Sequence, residues 1–170
     1  MKILIIGMPL SGKTTISKEY SKKYNIEFLD LDSLIERDNL YFIEDIYQEF
    51  GIKTFRILEK KAFLNYINYN NNFIMACSEG IIEDKECVEL LKKEKCIFLN
   101  TSYELLCKRF INNPRPIFNE FKLKDLYEKR INIYNDITNN VINTDEFNNI
   151  NDIIDKINEV ISFEKESNDN

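Results

Sequence analysis

The chain has 170 residues, 44% of them apolar and 31% charged, which suits one soluble globular domain with a full core and leaves too little for two. The net charge is −6 with no long basic run, which excludes a general nucleic-acid binder but not a local anion site built from a few residues and backbone N–H groups. Histidine is absent, so His-based triads and His-containing zinc sites are excluded, and chemistry must rest on Asp, Glu, Lys, Arg or a metal carried by a substrate.

The opening Met1-Lys2-Ile3-Leu4-Ile5-Ile6 is too short an apolar run for a signal peptide and turns at once into a Gly-rich loop. No stretch of about 18 apolar residues follows, so the expectation is a cytoplasmic protein without a transmembrane helix. Residues 3–6 read as a buried strand. Gly7-Met8-Pro9-Leu10-Ser11-Gly12-Lys13-Thr14 then matches the whole G-x-x-x-x-G-K-[ST] pattern, and the helical spacing of Ile16, Tyr20 and Tyr24 comes directly after it. Strand, loop and helix in that order are the context a phosphate cradle needs. The loop's N–H groups wrap polyphosphate at a helix N-terminus. Lys13 is expected to bridge the β- and γ-phosphates of a nucleotide, and the Thr14 hydroxyl to ligate Mg²⁺.

Residues 27–30 read as a second strand, ending in Asp30-Leu31-Asp32. Two carboxylates so spaced can serve a metal and an acceptor separately; equally, they can cap the next helix. Phe55, Leu58, Ala62, Phe63 and Tyr66 have helical spacing. On that helix Arg56 and Glu59 share a face. They are either a solvated ion pair or a guanidinium held by a carboxylate and aimed at an anionic ligand. An Asn cluster at 68–72 marks a surface turn, and residues 73–76, 96–100 and 141–144 complete a set of five strands separated by helical stretches. That alternation predicts βαβ crossovers and a parallel sheet with ligands beyond the strands' carboxyl ends. Cys77, Cys87, Cys96 and Cys107 form no CxxC pair and are expected to be reduced, most of them packing thiols. Pro114-Arg115-Pro116 within 112–120 predicts a mobile loop, and 164–170 a polar tail that frays, leaving one domain over 1–163. No guanine-recognition NKxD or DxxG motif is present, which separates the chain from the GTP switch proteins.

In order and spacing these motifs resemble the shikimate kinase family, from the phosphate loop to Thr144. Residues 7–15 are similar to its phosphate loop, and Asp30-Leu31-Asp32 to its D-x-D. Gly51 with Phe55-Arg56 looks like its G-E-x-x-F-R stretch, Arg115-Pro116 like its lid Arg-Pro, and Arg130 followed by Tyr134 like its R-x-x-x-Y. The resemblance implies a three-layer α/β/α P-loop kinase fold with a five-stranded parallel sheet and a mobile lid over 112–120. It implies an enzyme of the aromatic amino-acid pathway using ATP and Mg²⁺ on shikimate; the chain is separately expected to be a monomer with no nucleic-acid or membrane partner. The resemblance also implies roles. Gly7, Ser11, Gly12, Lys13, Thr14 and Thr15 would hold ATP, and Arg109 would stack on adenine. Arg115 would close over the phosphates, Asp30 would support the metal through water, and Asp32 would take the acceptor's proton. Arg56, Gly80 and Arg130 would bind the acceptor.

The chain departs from the family at Ser78-Glu79-Gly80, where the family has three glycines, and at Ile117-Phe118 in the lid. A carboxylate placed about 4–6 Å from an anionic substrate costs on the order of 3 kcal/mol. A different acidic acceptor, or a nucleotide-binding module without catalysis, are therefore the competing expectations.

Overall fold

The computed structural model describes residues 1–69, 71–112 and 120–168. Five parallel strands, β1 (Lys2–Gly7), β2 (Glu27–Asp30), β3 (Phe73–Ala76), β4 (Lys95–Asn100) and β5 (Val141–Asn143), form one sheet in the order β2-β3-β1-β4-β5. The helices between them are α1 (Lys13–Tyr24), α2 (Leu31–Asn39), α3 (Ile43–Glu49), α4 (Gly51–Ile67), α5 (Lys85–Leu91), α6 (Tyr103–Asn112) and α7 (Glu120–Ile137), and α8 (Ile150–Asn168) follows β5. Short 3-10 turns lie at Ile81–Glu83 and Thr144–Glu146. α8 is helical as far as Asn168, beyond the start of the polar segment expected as a tail.

Period-two burial makes the three layers. On β1, Leu4 and Ile6 face a core shared with Phe63 of α4, Leu91 of α5 and Tyr134 of α7. Ile3 and Ile5 face the opposite core, with Ile16 and Tyr20 of α1 and Ile154, Ile157 and Ile161 of α8. A strand buried on both faces reads as a continuous apolar run, which is why residues 3–6 were legible as a parallel strand. Cys77, Cys87 and Cys96 are buried and free, as packing thiols should be, and burial pushes the Cys77 and Cys87 thiols up to about 12.

Register sets the working edge. Asp30 of β2 and Ile5 of β1 are both level with Ala76 of β3. The chain segments that leave β1, β2 and β3 therefore emerge side by side: the phosphate loop, the Asp30–Asp32 turn and Ser78–Gly80. Among the described residues, no helix is long and apolar enough to cross a membrane.

Candidate active site

The phosphate loop begins where β1 ends. Gly12 has φ 95°, a left-handed value that side chains resist, and this turn lets α1 start at Lys13 without a side-chain cap. The first turn of α1 carries no acidic residue. Its N–H groups and positive dipole end are thus left for an anion. Lys13 Nζ donates to the carbonyls of Gly7 and Met8, 3.0 Å each, which folds the ammonium back over the loop. The buried Tyr134 hydroxyl donates to Gly7 O at 3.0 Å from beneath and ties α7 to the loop; its ring stacks on Phe98 at 4.9 Å.

Lys13, Thr14, Asp30, Asp32 and Arg109 share a cleft of about 780 Å³, which Glu79 also lines. Asp30 does two things at once. One oxygen caps α2 by accepting from Ser33 N at 3.0 Å, and the other accepts from the Thr14 hydroxyl at 2.7 Å. The two readings of the Asp30–Asp32 pair are therefore divided between them: Asp30 caps, and Asp32 turns inward from the first turn of α2. Burial raises the Asp32 carboxyl above its ordinary value, against the pull of a hydrogen bond from Ser78. Arg109 Nη1 donates to Leu10 O at 2.8 Å, so its guanidinium rests on the phosphate loop at the cleft wall.

Arg56, Gly80 and Arg130 do not line that cleft. They form a second cluster beyond Asp32 and Glu79. The Ser78 hydroxyl joins the two, lying 2.6 Å from Asp32 Oδ1 and 2.6 Å from the buried Glu59 Oε1. With one proton to give, it donates to one carboxylate at a time. Both Glu59 oxygens accept from Arg56 Nη1, at 2.9 and 2.8 Å. Arg56 and Glu59 are thus a pair held at the protein's interior edge, Glu59 buried and Arg56 partly so, rather than a solvated one. Burial opposes the charge on Arg56, and the Glu59 carboxylate beside it more than compensates.

Gly80 explains itself here. A Cβ at that position would fall 1.7 Å from Arg56 Nη1 and 2.0 Å from Cζ, so the guanidinium lies directly against the bare backbone. Arg130, only 3% exposed, reaches the same place from α7 and donates to Glu83 Oε1 at 2.5 Å. Arg115 lies outside the described residues, as does most of the segment 112–120.

Sequence reasoning missed three things. Ser78 was read only as a lost glycine, yet its hydroxyl joins Asp32 to Glu59. Glu83 was not singled out, although it pairs with both arginines. The far wall of the cleft, with Asp145, Phe147 and Asn149 after β5, carried no motif at all.

A phosphate loop after the central strand, an inward carboxylate beside it and an arginine pair beyond define a class, the P-loop kinases. The family model described as shikimate kinase matches residues 9–162. The chain belongs to the shikimate kinase family. It is 31% identical to a shikimate kinase of Macrococcus caseolyticus over 97% of this chain and 99% of that protein. It is 36% identical to the bifunctional shikimate kinase/3-dehydroquinate synthase of Thermotoga maritima over 79% of this chain, a match that takes in 27% of that longer protein. Among solved structures, the shikimate kinase of Acinetobacter baumannii in complex with shikimate superposes with a TM-score of 0.87 at 28% identity, covering 96% of this chain and 94% of that one.

Proposed function

We propose that this chain transfers the γ-phosphoryl group of ATP to a hydroxyl of shikimate, giving shikimate 3-phosphate and ADP. The observation that carries the reading is the Ser78 hydroxyl, which lies between Asp32 beside the phosphate cradle and Glu59 beside Arg56, 2.6 Å from each. An acceptor whose carboxylate lies on Arg56 can then present a hydroxyl to Asp32, close to the loop that holds the phosphates.

In this mechanism the protein positions and stabilises charge rather than forming bonds. Gly7, Ser11, Gly12, Thr14 and Thr15 contribute the loop around the phosphates. Lys13 leaves the Gly7 and Met8 carbonyls for the β- and γ-phosphates, and Arg115 stabilises charge on the transferring group. Arg109 packs against the adenine end. Arg56 and Arg130 hold the acceptor carboxylate against the backbone of Gly80. Asp32 orients the acceptor hydroxyl and takes its proton as the new O–P bond forms. Thr14 and Asp30 suit Mg²⁺, since both offer hard oxygen atoms. By donating its proton to Asp30, the Thr14 hydroxyl keeps its lone pairs for the ion. Bound there with ATP, Mg²⁺ supplies charge neutralisation across the phosphates.

A second reading is favoured by Glu79, whose place on the cleft wall sets a negative charge beside the acceptor path: the same chemistry on another acidic acceptor. A coupled ADP-release assay with ATP and Mg²⁺, comparing shikimate, gluconate and no acceptor, separates the two. Shikimate-dependent release is expected. ATP binding without any stimulation by shikimate would reject the first reading.

A further inference from the structure

The two arginines of the acceptor cluster are not waiting empty. Glu83 Oε1 accepts from Arg130 Nη2 at 2.5 Å, and its other oxygen lies 3.5 Å from Arg56 Nε. One carboxylate of the chain thus bridges both guanidiniums, the arrangement an acceptor carboxylate would need. Among the described residues, Arg130 Nε and Nη1 are buried without a hydrogen-bond partner, and Arg56 Nε has only the long approach of Glu83. Buried guanidinium N–H groups left unmet point to a ligand richer in acceptor atoms than Glu83 alone.

The two acidic partners of Arg56 differ in how they are held. The Glu59 side chain is 2% exposed and locked between Arg56 and Ser78, whereas the Glu83 side chain is 46% exposed. The backbone around Glu83 is fixed on both sides. Its N–H donates to Gly80 O at 2.9 Å, Ile81 and Ile82 are buried, and Asp84 caps α5. Turning Glu83 into water therefore requires only rotation of its side chain.

We propose that Glu83 is a specificity-determining residue: an internal carboxylate that occupies the Arg56–Arg130 site and that the acceptor's own carboxylate must displace. The inference rests on the reading of those arginines as the acceptor-carboxylate site. While Glu83 is in place, the site is neutralised, so a neutral acceptor gains nothing from the arginines. A carboxylate that also has contacts near Asp32 can exchange with it. The fraction of molecules with Glu83 turned out scales the apparent affinity for the acceptor.

The test is to compare Glu83→Gln and Glu83→Ala with the unaltered chain, measuring KM for shikimate at saturating MgATP and KM for ATP at saturating shikimate. Both variants are expected to lower KM for shikimate by about five- to tenfold, the scale of a partly exposed charge pair. KM for ATP, which serves as the check on folding, should move less than twofold. If KM for shikimate is unchanged or higher in both variants, Glu83 is no competitor and the inference is overturned. In that case a raised KM for shikimate in Arg130→Lys would leave the arginine assignment standing. Absence of shikimate-dependent ADP release in the unaltered chain would overturn the functional reading and this inference together.

Discussion

Asp32 is buried beside Glu79, Asp30 and Lys13, and its carboxyl lies above the ordinary aspartate value because burial disfavours its charge. As a base it works only when ionised, so activity should fall as pH drops through that raised value. The acid limb of kcat/KM is expected above 3.8, the ordinary aspartate value, and a limb at or below it would assign the base elsewhere. Asp32→Asn should cost kcat on the order of 10²–10⁴-fold while KM for ATP stays close to that of the unaltered chain. Gly80→Ala probes the other end of the site. Its methyl would overlap Arg56 Nη1 and push the guanidinium off Glu59. KM for shikimate should rise at least about tenfold, the scale of one charge-assisted hydrogen bond, with little change for ATP. An unaltered KM for shikimate would show that Arg56 does not hold the acceptor. In the sequence, Gly80 was visible only as the one glycine kept where the resembled family has three, and nothing local named Arg56 as its neighbour.

Among the elements, α5 shows how a charged cap holds a short helix next to the acceptor cluster. Asp84 accepts from Cys87 N at 3.1 Å and pairs with Lys60 at 2.9 Å. Burial pushes its carboxyl up, but the Lys60 hydrogen bond and the Cys87 N–H pull it further down, below its ordinary value. A lowered carboxyl stabilises the fold above its unfolded pKa, and that contribution disappears as pH falls through the folded one. Asp84→Ala should therefore cost about 1 kcal/mol, the usual worth of an N-cap, or roughly 2–4 °C in Tm at pH 7. The gap to the unaltered chain should close in acid melts, and a gap that persists would place the effect in packing. The elements themselves were well marked. β2 and β3 have the residues the apolar runs indicate, and β1 and β4 are longer only at their ends. The 3-10 turn that presents Glu83 was not legible, because three residues carry no period.

At the scale of the whole molecule, the acidic chain gathers its few useful cations at the carboxyl edge of one sheet. A ligand that binds only the folded state stabilises it by about 2.7 kcal/mol at a hundred times its Kd. Saturating MgATP should thus raise Tm by roughly 5–10 °C. Lys13→Ala should abolish both this shift and turnover, and a shift retained in that variant would place the nucleotide away from the loop.

The sequence by itself determined the phosphate loop, the strand set and the carboxylate pair after β2. Each is written in consecutive residues, as a spacing or a period that a local reading can recover. Only the tertiary structure decided what stands opposite what. The Ser78 hydroxyl between Asp32 and Glu59, and Glu83 across Arg56 and Arg130, bring side chains of distant segments together. Those meetings depend on the order and register of β1, β2 and β3 and on how α4 and α7 pack over the sheet. Hydrophobic patterning says that an element is buried, but not which polar group of another element will meet its end.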